Sequence, residues 1–200
     1  MLDSNGLVKQ LCDQGWFYQQ NVLDPALISG LADLCHSRTF LQAGIGRGVK
    51  NIINESIRSD SISWIEKSET DPAISRYLTL VEQTRQLLNR EFFLGLQDFE
   101  GHFSRYPAGA YYKPHYDCFA NDKRRAVTFI VYINQNWHPQ DGGELCLHLP
   151  EGERLIQPVA GSVLCFLSEQ ILHEVKPTRK ERMALTGWFI RNGGQDYYYS

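Results

Sequence analysis

The spacing of apolar residues changes about halfway along the chain, near Phe93. Before this point apolar residues recur at helical intervals, as in the series Leu27, Ile28, Leu31 and Leu34. After it they tend to alternate with polar residues, as expected for short strands that bury one face. The pattern therefore predicts a largely helical first half and a β-rich second half.

Three helices are predicted in the first half. The first covers about residues 5–20, where apolar residues share one side. The second and third each begin with an aspartate followed by a proline, at Asp24-Pro25 and Asp71-Pro72. Aspartate suits the N-cap and proline suits the first helical position, so these two starting points are the better defined.

A glycine-rich segment, residues 42–56, separates the second helix from a short predicted strand at 57–66. Its glycines alternate with Arg47 and Lys50. A solvated loop is the default interpretation of such a run. The alternative is a lid over a site, because long loops are often functional.

Eight short strands are predicted after residue 93, separated by turn-rich pieces such as Asp141-Gly142-Gly143. Their ranges are 98–106, 111–117, 126–133, 144–149, 155–158, 162–167, 172–176 and 183–190. Eight strands in succession without a helix favour a sandwich or jelly roll. We expect one domain over 1–200, with helical support over 1–92, a β core over 93–190 and a loose tail over 191–200.

The strand at 126–133 has two different faces. One face is wholly apolar and suits packing against the N-terminal helices. The other places hydroxyl groups among apolar side chains, as the lining of a ligand cavity would, although an ordinary core with one hydrogen-bonded tyrosine is the alternative. The apolar face carries Val127, Phe129, Val131 and Ile133, and the mixed face carries Ala126, Thr128, Ile130 and Tyr132.

Composition and charge narrow the class of protein. The net charge of -3 argues against a general nucleic-acid binder, and no apolar run approaches membrane-spanning length, so neither partner is expected. The five cysteines form no CxxC pair, and the first residues lack the features of a secretory signal. A cytoplasmic protein with reduced thiols is the simplest interpretation.

Candidate metal ligands stand at His115 and Asp117. In an extended segment residues i and i+2 point to the same side, so the imidazole and the carboxylate can hold one cation. His173, at the start of a later strand, would complete a 2-His-1-carboxylate set, which suits Fe(II) and leaves positions open. A triplet of the His-X-Asp type is common by chance, so the pair alone is a weak signal.

Arg182 lies nine residues after His173 and opens the last predicted strand. With a period of two it shares a face with Ala184, Thr186 and Trp188. A guanidinium directed into a barrel is costly unless it meets an anion, and its planar fork suits a carboxylate. The pattern therefore predicts a site for an acidic ligand beside the metal.

This order of residues resembles that of the Fe(II)- and 2-oxoglutarate-dependent dioxygenases. Several flanking sequence segments resemble those of the prolyl hydroxylases in that superfamily. These segments are 57–66 (IRSDSISWIE), 125–134 (RAVTFIVYIN), Trp137 with Gly142-Gly143, and 173–177 (HEVKP). They are similar to the hypoxia-sensing prolyl hydroxylases of animals. They are closer to the bacterial enzymes that hydroxylate a proline of elongation factor Tu. The resemblance extends from about residue 57 to 189.

The resemblance implies an α+β fold, in which a double-stranded β-helix (jelly roll) carries the N-terminal helices on one outer face. It also implies Fe(II), 2-oxoglutarate as co-substrate, O2, and ascorbate as a candidate reductant. The reaction would hydroxylate a prolyl residue in a protein, with elongation factor Tu as a candidate, and release succinate and CO2.

Residue by residue, His115, Asp117 and His173 match the iron ligands of the family. Arg182 matches the residue that pairs with the distal carboxylate of 2-oxoglutarate. The positions near the co-substrate are Tyr132, Tyr106 and Thr186, and those lining the pocket or substrate groove are Tyr112, Trp188, Arg125, Arg58, Asp60 and Trp64. The approach to His115 is one residue shorter than in the animal enzymes.

Other functions are compatible with parts of this pattern. A 2-oxoglutarate oxygenase acting on a free amino acid or another small molecule is the main alternative. Nucleic-acid demethylases usually have a second arginine six residues after the first, where this chain has Trp188. A non-catalytic jelly-roll module would lack a ligand, and none is missing. His36, His102, His138 and His148 are expected to be surface or core residues, and Cys118 an inert core cysteine.

Overall fold

The computed structural model describes residues 1–44, 54, 56–118 and 123–191. Within these residues there are three α-helices and eleven strands. In chain order they are α1 Ser4–Gln14, β1 Trp16–Gln19, α2 Pro25–Ser37, β2 Leu41–Gln42, β3 Ser61–Trp64, α3 Pro72–Phe92, β4 Leu96–Tyr106, β5 Tyr112–His115, β6 Arg125–Tyr132, β7 Leu145–Leu149, β8 Gly152–Ile156, β9 Val163–Leu167, β10 Leu172–Val175 and β11 Arg182–Arg191.

The second and third helices begin where the sequence predicts. The Asp24 side chain accepts a hydrogen bond from the Leu27 backbone N–H at 3.0 Å, and Asp71 caps α3 in the same way. The predicted first helix is too long, because α1 ends before Gly15, which adopts the left-handed conformation with φ 79°. The next four residues form β1 and pair with β9, so sheet pairing overrides their helical spacing.

The strands form two antiparallel sheets. The larger has the order β1-β9-β6-β11-β4-β3-β2 and the smaller the order β5-β10-β7-β8. All eight strands predicted for the second half are present, with ends displaced by up to three residues. Two facing antiparallel sheets with helices on one outer face confirm the predicted α+β jelly roll.

The helices cover one face of the larger sheet. Leu7, Leu31 and Tyr77 from the helices pack in one buried cluster with Phe129 and Phe189 from the strands. A second cluster fills the space between the sheets and includes Ile130, Tyr132, Leu145, Leu147 and Phe166. The two predicted faces of β6 therefore separate as expected.

Ala126 is the exception to this division, because it packs in the helix-side cluster rather than facing the cavity. The ladder between β6 and β11 is irregular here: Phe189 pairs with Val127 and Ile190 pairs with Arg125, so Ala126 has no direct partner. The extra residue displaces Ala126 from the alternation that the sequence predicts.

The N-terminal half contributes three strands as well as helices, since β1, β2 and β3 all join the larger sheet. The predicted strand at 57–66 is ordered as a strand only over β3. Most of the predicted lid, residues 42–56, and the tail from 192 onward lie outside the described residues. The single-domain division stays a prediction. None of the described helices is long and apolar enough to cross a membrane.

Candidate active site

The candidate site is a cavity of about 150 Å³ between the two sheets, where strands from both contribute side chains. Most of the predicted site residues line it: Arg58, Trp64, Tyr106, Tyr112, His115, Asp117, Arg125, His173, Arg182, Thr186 and Trp188. Asp60 and Tyr132 lie directly behind the wall and are fully buried, Asp60 beneath Arg58 and Tyr132 beside Arg182. The fold thus brings together residues that are up to 130 positions apart in the chain.

Three predicted metal ligands meet at one end of this cavity. His115 and His173 are direct partners in the antiparallel ladder between β5 and β10, so their imidazoles lie on the same face. Asp117 follows two residues after His115. One nitrogen from each imidazole and one carboxylate oxygen lie within 4.8 Å of one another.

The hydrogen bonds of the two histidines define which ring nitrogen is available. Nδ1 of His115 lies 2.7 Å from the carbonyl of Lys113, and Nδ1 of His173 lies 3.1 Å from the carbonyl of Ile171. A carbonyl can only accept, so both Nδ1 atoms donate, and in a neutral imidazole Nε2 is left as an acceptor.

The two Nε2 atoms point at the carboxylate of Asp117. His115 Nε2 is 3.6 Å and His173 Nε2 is 3.5 Å from its nearer oxygen, too far for a good hydrogen bond. Three acceptors that converge in a buried place suit a cation better than a shared proton. Two imidazoles and a carboxylate are the donors that non-heme Fe(II) prefers, so these residues fit that metal.

Burial and charge hold Asp117 and His173 in the protonation states that metal binding requires. Burial alone raises the pKa of Asp117, but the neighbouring His173 and His115 imidazoles lower that pKa well below its usual range. Burial also lowers the pKa of His173 to about 4. At neutral pH Asp117 is therefore an anion and His173 is neutral, as metal ligation requires.

Two hydroxyl groups fix the orientation of the carboxylate. Thr128 Oγ1 donates to Asp117 Oδ2 at 2.8 Å and lies 2.9 Å from Ser168 Oγ. All three side chains are buried. The sequence predicts a hydroxyl from Thr128 in the cavity wall but gives no sign of its partner. Ser168 was not recognised at all, because it follows a strand without any local motif.

Arg182 lies at the other end of the cavity. Its guanidinium is almost fully buried, and Nε donates to the carbonyl of Gly143 at 2.8 Å. Its Cζ lies 4.9 Å from the ring centroid of Tyr106 and 5.2 Å from that of Tyr132. Among the residues that the structure describes, Arg182 has no carboxylate partner. A buried cation of this kind fits an anionic ligand, such as the distal carboxylate of 2-oxoglutarate.

Gly143 explains why the sequence has two glycines before β7. Its φ is +66°, and a Cβ placed there would lie 3.1 Å from Cδ of Arg182 and 3.0 Å from the side chain of Thr178. Any larger residue would strain the backbone and push against the arginine. The glycine therefore allows the close approach that positions the guanidinium.

The two tyrosines beside Arg182 remain protonated. Burial raises the pKa of Tyr106 and of Tyr132. Within the described chain the Tyr132 hydroxyl is buried without a hydrogen bond of good geometry. An orphaned hydroxyl next to a buried guanidinium is suited to donate to a ligand carboxylate. Despite the shorter approach to His115, Tyr106 stands directly opposite Arg182 in the ladder.

Two arginines form the rim of the cavity, each held by a carboxylate and an aromatic ring. Arg58 makes a two-pronged ion pair with Asp60, at 2.7 and 2.6 Å, and its Cζ lies 4.3 Å over the ring of Tyr112. Arg125 lies 3.5 Å over the ring of Trp188. Such paired contacts restrain long side chains and give the rim a defined shape.

His102 is a wall residue that the sequence did not reveal. It lies on β4, with Trp64 at 5.0 Å and Trp188 at 5.5 Å between ring centroids. Burial, then the charges of Arg58 and Arg125, lower the pKa of His102 to about 3, so this wall is uncharged. No local motif marks the residue, since only the pairing of β3, β4 and β11 brings these rings together.

Comparisons with known proteins agree with this geometry. The family model described as "2OG-Fe(II) oxygenase superfamily" matches residues 101–190, which include both ends of the cavity. A prolyl-4-hydroxylase structure from Pseudomonas putida is similar, with a TM-score of 0.86 and 39% identity over 95% of this chain and 100% of that one. A Trichoplax adhaerens prolyl hydroxylase, solved with a hypoxia inducible factor peptide, has a TM-score of 0.81 and 29% identity over 94% and 88%.

Sequence relatives agree as well. Mouse prolyl hydroxylase EGLN3 is 31% identical over 198 residues, which cover 92% of this chain and 82% of that protein. A PKHD-type hydroxylase from Maricaulis maris is 29% identical over 84% of this chain and 74% of its own length. The chain belongs to the 2OG-Fe(II) oxygenase superfamily and, within it, to the prolyl hydroxylases. Enzymes of this class use Fe(II), 2-oxoglutarate and O2.

Proposed function

We propose that this prolyl hydroxylase modifies a proline of elongation factor Tu in the cytoplasm. The observation that carries an oxygenase function is the pairing, in one cavity, of a His–Asp–His donor set with a buried arginine that has no carboxylate partner in the described chain. The choice of target is supported by the sequence segments 57–66 and 125–134, which resemble those of the bacterial enzymes that act on this factor.

In this proposal His115, Asp117 and His173 hold Fe(II). The bound metal, with 2-oxoglutarate and O2, supplies the oxidant for inserting one oxygen atom into a C–H bond, with succinate and CO2 as co-products. Thr128 keeps the Asp117 carboxylate oriented. The backbone carbonyls that accept from Nδ1 fix the orientation of both imidazole rings. The chain therefore provides preorganised ligands.

Arg182 binds and orients the co-substrate. Its guanidinium pairs with the distal carboxylate, and the hydroxyls of Tyr106 and Tyr132 are placed to donate beside it. Thr186 lies on the same strand, four residues further along, and lines the same cavity. Aromatic rings around these polar groups exclude water, which strengthens each charged interaction.

The rim receives the peptide. Tyr112, Trp188 and the half-exposed Trp64 offer aromatic faces that suit a proline ring. Arg58 and Arg125 are held in place by Asp60 and Glu100, so they can donate to peptide carbonyls without reorganising. The exposure of Trp64 at this rim favours a segment of a protein over a small enclosed substrate.

The test is hydroxylation of elongation factor Tu by the purified protein with Fe(II) and 2-oxoglutarate, located by tandem mass spectrometry. We expect a mass increase of one oxygen on a single proline, and none with an Arg182→Ala variant at low 2-oxoglutarate. A panel of proline peptides from other proteins serves as control. Turnover of free proline with no modification of the factor would support the small-molecule alternative. Mass spectrometry of cellular elongation factor Tu, with and without this protein, extends the test to the cell.

A further inference from the structure

A second group of potential metal ligands lies on the outer face of the smaller sheet. Its members are Cys146 and His148 on β7, Glu153 on β8 and Glu174 on β10, and their ligand atoms all lie within 4.8 Å of one another. His173, the neighbour of Glu174, faces the cavity. Because successive residues of a strand point to opposite faces, this second group lies behind the iron site and does not share its cavity.

The pairing of three strands assembles the group. Glu174 is the direct partner of Cys146, and Glu153 is the direct partner of His148. Cys146 and His148 are two residues apart on the central strand, so their side chains stand next to each other. The two glutamates therefore flank the central strand from opposite sides, and each of the three strands is hydrogen-bonded to its neighbour.

The two ring nitrogens of His148 both face carboxylates. Nε2 lies 3.0 Å from Glu174 Oε1, and Nδ1 lies 3.5 Å from Glu153 Oε1. Cys146 is fully buried beside them, and its thiol makes a long contact of 4.0 Å to a backbone carbonyl and interacts with the Glu153 carboxylate. A buried thiol directed at an imidazole and two carboxylates is an unusual set for a surface that serves only solubility.

A lysine occupies part of this group. Lys176 Nζ lies 2.7 Å from Glu174 and 4.0 Å from Glu153, and its side chain is one-third exposed. The two carboxylates therefore already converge on a positive charge. An ammonium on a flexible, partly exposed stem can swing into solvent when a stronger cation arrives.

We propose that Cys146, His148, Glu153 and Glu174 form a second metal site, which takes Zn²⁺ or a similar borderline divalent ion. Thiolate, imidazole and carboxylate are the ligands that zinc uses in proteins, in sets of four. On binding, a metal–sulfur bond forms, the thiol proton leaves to solvent, and Lys176 is displaced. Burial raises the pKa of the Cys146 thiol to about 11, so the proton stays on sulfur until a metal arrives.

The competing explanation is an ion-pair network that only joins three strands. The two explanations assign opposite roles to Lys176. If the group is only an ion-pair network, loss of Lys176 creates no affinity for a metal ion. If the group is a metal site, Lys176 competes with the metal ion, and its removal tightens metal binding. A Lys176→Met variant, which keeps the length and apolar stem of the side chain, separates them.

Co²⁺ is the probe for the full-length, metal-free protein, since cobalt bound to a thiolate absorbs in the near ultraviolet and the iron site contains no sulfur ligand. We expect the wild type to bind two Co²⁺, one for each donor group, and to show the sulfur band. Asp117→Ala should bind one and keep the band. Cys146→Ser should lose the band. Cys118→Ser, which changes the thiol next to Asp117, should keep it.

Lys176→Met should lower the apparent Kd for Co²⁺ at the second site by about tenfold. The substitution removes a positive charge that lies 4.0 Å from the Glu153 carboxylate and repels the metal ion. Absence of the sulfur band from the wild type, a band that persists in Cys146→Ser, or an unchanged Kd in Lys176→Met would each overturn the proposal. Circular dichroism checks folding of Cys146→Ser. If that variant does not fold, Glu153→Gln replaces it, because this side chain is more than half exposed, and an unchanged Kd there would also refute the site. Proline hydroxylation is not measured, so the outcome is independent of the proposed function.

Discussion

The two faces of the larger sheet are built from the same strands and have opposite characters. On the helix side of β6, Val127, Phe129 and Val131 are fully buried members of one hydrophobic cluster. The alternate residues Thr128 and Tyr132 face the cavity. The Thr128 hydroxyl donates to the Asp117 carboxylate, and the Tyr132 hydroxyl has no hydrogen-bond partner within the described chain. The first face stabilises the fold, and the second supplies the chemistry.

The difference shows where this protein accepts an energetic cost. A buried polar group without a partner costs about 1–3 kcal/mol in proteins. On the cavity side the Tyr132 hydroxyl is such a group within the described chain, and the buried Arg182 guanidinium has no carboxylate partner there. A ligand that pairs with them recovers that cost. Substitutions on the two faces should therefore have separable effects, on stability from one side and on ligand binding from the other.

The largest effect is expected on the cavity side, from Asp117→Ala. Removal of the only carboxylate of the donor set should lower iron affinity and prolyl hydroxylation by well over about 100-fold, because even outer-shell partners of a metal ligand are worth about 10- to 100-fold. Iron content and turnover are measured together. Asp13→Ala, an exposed carboxylate on α1, is the matched control. Full iron binding by Asp117→Ala would mean that the donor set is misassigned.

Phe129→Ala tests the helix side. Truncation of this fully buried ring should lower the free energy of unfolding by about 3–5 kcal/mol, measured by denaturant titration. The KM for 2-oxoglutarate should not change in protein that remains folded. Tyr132→Phe is the counterpart on the other face, and it should raise that KM without loss of stability. Coupled changes in both variants would show that the two faces are not independent.

Arg182→Ala should chiefly weaken 2-oxoglutarate binding, by about 2–5 kcal/mol, because it leaves the ligand carboxylate buried without its cation. Iron affinity in the absence of 2-oxoglutarate should hardly change, since the guanidinium is not a metal ligand. Arg182→Lys keeps the charge but not the fork and should recover only part of the loss. Calorimetry measures both affinities, and an unchanged 2-oxoglutarate affinity would rule out the assigned role.

The smallest effect is expected from Thr128→Val, which preserves shape and removes one hydroxyl. Iron affinity should fall by about 10- to 100-fold as Asp117 loses its 2.8 Å hydrogen bond. Thr128→Ser retains the hydroxyl and should bind iron nearly as well as the wild type. Iron titration of both variants decides the point. Equal losses in the two would attribute the effect to packing.

Much of this site was predictable because the relevant information is local or periodic. His115 and Asp117 are joined by strand geometry, and the alternation along β6 correctly separates Phe129 from Tyr132. The order of ligands, with an arginine nine residues after His173, carries the family resemblance. These features need no knowledge of which strand pairs with which.

What was missed depends on pairing between distant strands. His102 enters the cavity wall because β4 lies between β3 and β11, and His148 meets two glutamates because β7 lies between β8 and β10. The sequence pattern predicts helix for the residues of β1, but their pairing with β9 outweighs local propensity. Register between distant segments is a property of the whole fold, so single-sequence patterns do not contain it.

The alternation along β6 also has a consequence for how the gene can change. Deletion or insertion of a single codon within this strand would exchange its two faces, so that Val127 would enter the cavity and Thr128 would face the helices. Point substitutions, by contrast, act on one face at a time, so that a change at Thr128 alters the cavity side and a change at Phe129 alters the helix side. This strand can therefore change in the identity of single residues on either face, whereas a change in its length would disturb both faces at once.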